Sequence, residues 1–380
     1  AAATADLTNV TGLTTLDVQF AGAAQAEAIT VSGLAAGVKV TTTTTQTADN
    51  LVLGLTSATG TADTISLEIT DVNTAADTFN LDAAGIEVLN VNQKDTGASV
   101  TLDLAGVTAT TGSKTTVNFT GAGAVIASAM ASTIDTVTVS GTGALTVASA
   151  DRAATAMTIT AGQADDSIAM RHANDVLNGG LGTDTLVLTP NFVLGGVQID
   201  LSSTTDQITT FNGSANAAVQ VGFENVDASG ITGSFGADIT AIKTGSTITG
   251  TGNADQITGG AGVDTVVMTA GNDAIGLGAS NDVVKITAAL LEAHSASTAT
   301  IDGGTGTGDA ITLTTVSTGI ADLDFARISN VEVLNLAAGD YTIGLGALAT
   351  AAGITSVVYG VGDIALNASG LGTAAAPVEI

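Results

Sequence analysis

Residues 250 to 285 read GTGNADQIT GGAGVDTVV MTAGNDAIG LGASNDVVK when cut into nines. Every nine carries an aspartate at its sixth place and an aliphatic at its eighth: Asp255 with Ile257, Asp264 with Val266, Asp273 with Ile275, Asp282 with Val284. The pattern is G-G-x-G-x-D-x-U-x, a nonapeptide signature of stacked β-coils. The second nine matches it at every defined place. About six residues of each nine form a turn and about three a short strand, so two nines close one flattened coil. Turns eighteen residues apart then stack on one edge, Asp255 over Asp273 and Asp264 over Asp282. Carboxylates and backbone carbonyls brought together in this way are the oxygen donors that calcium prefers. The glycines Gly259, Gly260, Gly262 and Gly271 permit the close backbone approach that aims carbonyls inward, and Asn253, Asn272 and Asn281 stand beside the aspartates as further oxygen donors. The aliphatics at the eighth place fill a thin core.

A second block, AGQADDSIA MRHANDVLN GGLGTDTLV, covers residues 161 to 187. Asp166 is expected to stack with Asp184, with Gly179, Gly180 and Gly182 shaping the last turn, while Asp175 needs a partner from elsewhere. One cation site is expected there and two in the later block. A looser copy at residues 303 to 313 offers Gly304, Gly306 and Asp309, with one residue inserted before the aspartate. The same residues also suit Gly-Asp turns of a β-solenoid that hold no metal.

Composition agrees with stacked coils. The 380 residues include 47 glycines, two prolines, no tryptophan and 3% aromatics, and small and β-branched residues suit a pleated, closely stacked surface better than a thick core. The formal net charge is −28 at pH 7. Eight scattered basic residues make no phosphate-binding patch, so no nucleic-acid partner is expected. Such charge repels itself in the compact state, and bound calcium would relieve it, so folding is expected to depend on calcium. With no cysteine the chain is indifferent to redox compartment. It opens without a basic start or an apolar signal core and without Met. The uncharged runs at 115 to 134 and 341 to 362 are broken by Gly, Thr and Ser in a two-residue rhythm, which predicts strands and no membrane span.

Residues 1 to 160 form a degenerate β-helical region, with alternating segments at Val38 to Val40, Ile65 to Ile69, Val100 to Leu104, Val137 to Val139 and Met157 to Ile159. A stacked β-helix is the first expectation and a β-sandwich the second. Residues 161 to 249 hold the first calcium roll and following strands, among them Val197 to Leu201; residues 250 to 380 hold the second roll and a C-terminal β-region with strands near Ile343 and Val357. Pro190 is expected to end the first block, and Ala288 to His294 is the one clear helix. A repeated strand, Gly85 to Val91, Gly222 to Asp227 and Asn330 to Leu336, places Glu87, Glu224 and Glu332 either as ligands or as acceptors for a neighbouring coil's backbone, the latter being favoured.

No catalytic signature is present: no G-x-S-x-G, no H-E-x-x-H and no phosphate-binding glycine loop. His172 is expected to face solvent. The scarcity of Trp and Tyr argues against a sugar-stacking cleft.

The nonapeptides resemble those of the RTX family of secreted bacterial proteins. Within it, the Ala/Thr/Gly/Val-rich coils, the sparse calcium nines and the F-E-N-V-D-A-S-G and V-E-V-L-N-L strands are similar to surface-layer proteins of the Caulobacter type. That resemblance implies an all-β, right-handed parallel β-helix or β-roll binding several Ca2+ ions. It also implies type I secretion, an extracellular surface location, and assembly with copies of itself into a calcium-dependent two-dimensional lattice. It further suggests a cell-surface polysaccharide as an anchoring partner through a part not recognised in this sequence. The family's C-terminal secretion signal and N-terminal anchoring domain are likewise not recognised. A module of a secreted RTX adhesin or enzyme is the competing expectation.

Overall fold

The computed structural model describes residues 2–20, 28–44, 49–71, 77–97, 99–148, 155–188, 195–317, 319–360 and 362–367. Pro190, expected to end the first repeat block, lies outside them. The chain divides into two compact units, residues 1–186 with 217–223, and residues 187–216 with 224–380. Both are parallel β-solenoids.

In the first unit the chain alternates between two sheets, and each strand pairs in parallel with the strand one coil later. Val100–Thr108 lies between Asp77–Ala84 and Val125–Met130. In the opposite sheet, Thr115–Gly121 lies between Val88–Gln93 and Ile134–Val139. The register stacks like on like. Leu89, Val117, Val137, Ile159 and Leu177 form one continuous inward column, and none of them is more than 1% exposed. Strands buried on the inward side need aliphatics at alternate places, which the Val- and Thr-rich segments supply. The coils tighten along the chain, from 28 residues between Asn90 and Asn118 to 20 between Asn118 and Thr138 and 18 between Asp166 and Asp184. The second of the paired expectations, a β-sandwich, is excluded by this parallel, coil-by-coil pairing.

The second unit opens with an antiparallel meander, Val197–Asp200, Ile208–Phe211 and Ser214–Ala215, which the sequence pattern did not reveal beyond its first strand. Parallel stacking then takes over. Ile239, Ile257, Ile275, Ile301 and Ile328 make an isoleucine column. Facing strands contribute Val226, Ile248, Val266, Val284, Ile311, Leu334 and Val357. In the nonapeptide region each strand is three or four residues long with one central inward side chain, as in Gln256–Thr258 and Thr265–Val267. The aliphatic at the eighth place is that side chain.

The expected helix is present as Ala288–Ser295, started by Thr287, whose hydroxyl accepts the Leu290 N–H. A second helix, Ala347–Ala352, was not anticipated. Its first turn is capped by Asp322, which accepts N–H groups from Gly346, Leu348 and Ala349. Strands Tyr341–Gly344 and Ser356–Val358 fall where expected. Among the described residues no helix is long and apolar enough to cross a membrane.

Candidate metal centre

The repeated aspartates line up along the edges of the coils, and one rule governs their contacts. Each carboxylate accepts, through Oδ1, a backbone N–H from the coil before it. Asp264 accepts from Ser246 at 2.7 Å, Asp282 from Asp264 at 2.7 Å and Asp309 from Asp282 at 2.7 Å. The column ends on Glu332, whose Oε2 accepts the Asp309 N–H at 2.9 Å. On the other edge Asp255 accepts from Ala237 at 2.7 Å and Asp273 from Asp255 at 3.0 Å. In the first unit Asp166 accepts from Leu145 and Asp184 from Asp166 at 2.7 Å. The stacking of Asp166 with Asp184, Asp255 with Asp273 and Asp264 with Asp282 is thus as the spacing predicts.

The second oxygen divides these residues. In Asp166, Asp255 and Asp264 it accepts the N–H four residues earlier, from Gly162, Thr251 and Gly260. Asp282 does otherwise. Its Oδ2 is buried and has no hydrogen-bond partner, and Gly278, four residues earlier, lies in the left-handed region at φ +95°. The Asp309 Oδ2 is likewise buried with no hydrogen-bond partner. A buried oxygen left unmatched costs free energy, all the more when it carries charge.

Burial shows in the acidities. It pushes Asp273 up to about 7, with the neighbouring Asp255 charge adding to the effect. It pushes Asp282 up to about 6, to which Asp264 and Asp309 contribute. Burial likewise raises Asp166, Asp255, Asp264 and Asp309 above the usual carboxylate range.

Asp175 finds its partner in backbone: Oδ1 accepts from Met157 at 2.7 Å and Oδ2 from Arg171 and His172 at 2.9 Å each, while Gln220 donates to its carbonyl at 2.6 Å. His172 is half-buried and its Nδ1 accepts the Asn174 N–H. Asn253 spends its amide on the Gly233 carbonyl at 2.6 Å, and Asn281 Oδ1 accepts the Thr307 N–H at 3.1 Å; Asn272 is exposed. The glycines serve close stacking. A side chain on Gly179, Gly259, Gly260, Gly262 or Gly306 would run into the backbone of an adjacent coil, and Gly180, Gly182, Gly271 and Gly304 hold φ between +98° and +137°.

Two participants escaped the sequence pattern. Ser246 occupies an aspartate's place eighteen residues before Asp264, and its hydroxyl accepts the Ile242 N–H as an aspartate would. Thr251 donates its hydroxyl to Asp255 Oδ1 at 2.7 Å. Glu332 closes the column, and Glu87 bridges coils by accepting from Asp63 and Thr110 at 3.0 Å each. The repeated glutamates at 87 and 332 therefore satisfy neighbouring backbone. An eighteen-residue offset counted back from Asp264 would have found Ser246.

Among the described residues no three His, Cys, Asp or Glu side chains gather into a metal cluster by themselves. Both oxygens of Asp166, Asp255 and Asp264 are taken by backbone N–H groups, so the unmatched Oδ2 atoms of Asp282 and Asp309 are the carboxylate oxygens of that column that could serve a hard cation. No family model matches the chain, and neither a curated protein nor a solved structure is significantly similar to it. Fold and edge chemistry together define a parallel β-solenoid with ladders of buried carboxylates.

Proposed function

We propose that this chain is a structural protein of a bacterial surface layer that folds with calcium outside the cell and assembles with copies of itself into a two-dimensional lattice. The observation that carries the reading is the column Asp264, Asp282, Asp309: three fully buried carboxylates in successive coils, two of them, Asp282 and Asp309, with an oxygen that nothing satisfies. Bound calcium would supply positive charge there and take the unmatched carboxylate oxygens as ligands. Asp264 with Asp282, Asp255 with Asp273 and Asp166 with Asp184 are the pairs that would hold it. A net charge of −28 adds a second reason for cations to favour the compact state. Extracellular calcium modules bind at roughly 10⁻⁴ to 10⁻³ M, so the chain would stay unfolded where free calcium is scarce and fold after export. Solenoids built from repeated small coils suit a load-bearing component more than a catalyst.

The test is circular dichroism and particle size of the purified chain in chelator and then in millimolar calcium. Gain of β-structure with growth into ordered sheets is the expected result. Folding without assembly would move the assignment to a module of a secreted adhesin or enzyme, and indifference to calcium would remove the metal from the account.

A further inference from the structure

We propose that a groove on the outer face of the second unit binds a neutral saccharide chain, with Phe235 as its stacking platform. This goes beyond the calcium and lattice reading and does not depend on it. The groove has a volume of about 490 Å³, within the range of small-ligand sites. Its floor is the outward face of three paired strands, whose register sets Gln198 beside Asp238 and Asp238 beside Gln256. All three side chains are exposed and rise at the strand spacing of about 4.8 Å. The antiparallel meander supplies a wall at Thr210, whose hydroxyl donates to Gln198 Oε1 at 2.7 Å. That bond orients the carboxamide and leaves its NH2 group to donate into the groove.

Phe235 stands at the rim, 51% exposed, in a chain with eight Phe, two Tyr and no Trp. An exposed ring beside two carboxamides that flank the Asp238 carboxylate matches the two faces of a sugar: apolar C–H groups for the ring, and hydroxyls, each donor and acceptor, for the polar row. No Lys or Arg lines the groove, and Asp238 and Asp255 do. Phosphorylated, sulfated or uronic-acid ligands are therefore disfavoured. Gly196, Gly213 and Ala274 keep the space open. The exposed Phe235 supplies the stacking ring that the scarcity of Trp and Tyr left unforeseen.

The experiment is saturation-transfer NMR and titration calorimetry on the complete folded chain, with maltotriose, cellotriose and chitotriose as probes and trigalacturonate and trilysine as charged controls. At least one neutral trisaccharide is expected to bind. Phe235→Ala is expected to weaken it about tenfold, Phe235→Tyr to retain it, and Gln256→Ala to weaken it several-fold with unchanged circular dichroism. Should Phe235→Ala fail to fold, Gln256→Ala and Gln198→Ala carry the same test. The proposal falls if no neutral probe binds, if binding ignores these substitutions, or if trilysine or trigalacturonate is preferred. Lattice growth is read separately by particle size, so the failure of either assignment leaves the other standing.

Discussion

Asp282 takes the backbone N–H of Asp264 on Oδ1 at 2.7 Å and buries Oδ2 with no partner. One oxygen thus stitches two coils together while the other is an uncompensated acceptor in the same position. Asp282→Asn keeps a carbonyl oxygen for the Asp264 N–H and removes the charge. In chelator the variant is expected to melt at a higher temperature than the parent. Calcium should then stabilise it less, with affinity lowered about tenfold through the lost ligand charge. Thermal melts with and without calcium separate the two effects, and a variant that gains as much from calcium as the parent would clear Asp282 of any ligand role.

The raised acidities fix the sign of the pH dependence. Asp273 at about 7 and Asp282 at about 6 lie above the unfolded carboxylate value. Between the unfolded value and those values the folded state binds more protons, so stability falls as pH rises through that window. Without metal, the urea midpoint should be higher at pH 5 than at pH 8. Under the proposed calcium role the cation would compete with the proton for the same oxygens, so in millimolar calcium the difference should shrink or invert.

Ser280 stands at the fourth place of its nine, where Gly262 stands two nines earlier, and holds φ +90°. A side chain there costs roughly 1 kcal/mol. Ser280→Gly is expected to raise stability by up to about that amount, offset in part by the greater freedom of glycine in the unfolded chain. Equilibrium urea unfolding reads the difference directly.

Ile257 sits in the isoleucine column between Ile239 and Ile275, 2% exposed. Ile257→Ala should cost about 2–5 kcal/mol. Thr258→Ala, one residue on and outward-facing, should stay within about 0.5 kcal/mol. Equal effects at the two positions would contradict the inward assignment of the eighth place.

His294, in the last turn of the helix Ala288–Ser295, is 2% exposed and neither ring nitrogen has a hydrogen-bond partner. Burial, with Arg327 adding, lowers its pKa, so it folds as the neutral ring and loses stability as pH falls below its unfolded value of about 6.5. His294→Leu should gain about 1 kcal/mol at pH 7 and flatten that acid-side loss. Chemical denaturation at pH 7 and pH 5 measures both.

The solenoid and its inward face follow from local spacing alone. A period of nine with an aliphatic at the eighth place leaves one inward side chain per short strand, and eighteen residues per coil put Asp255 over Asp273 and Asp264 over Asp282. Local spacing is enough for that, because successive coils of equal length stack in register without further information. Only the tertiary structure decided where coils of unequal length meet. Asp282 and Asp309 are 27 residues apart yet adjacent on one edge, since the intervening coil accommodates the helix Ala288–Ser295; Glu332 follows after 23. The same uneven lengths bring Glu332 to an aspartate's place at the end of the column. The meander from Val197, folded antiparallel against the first parallel strand of its sheet, creates the groove beside Phe235. That the Asp282 Oδ2 is left bare while the second oxygens of Asp166, Asp255 and Asp264 are matched was also beyond spacing, because all four stand at the same place of the nine.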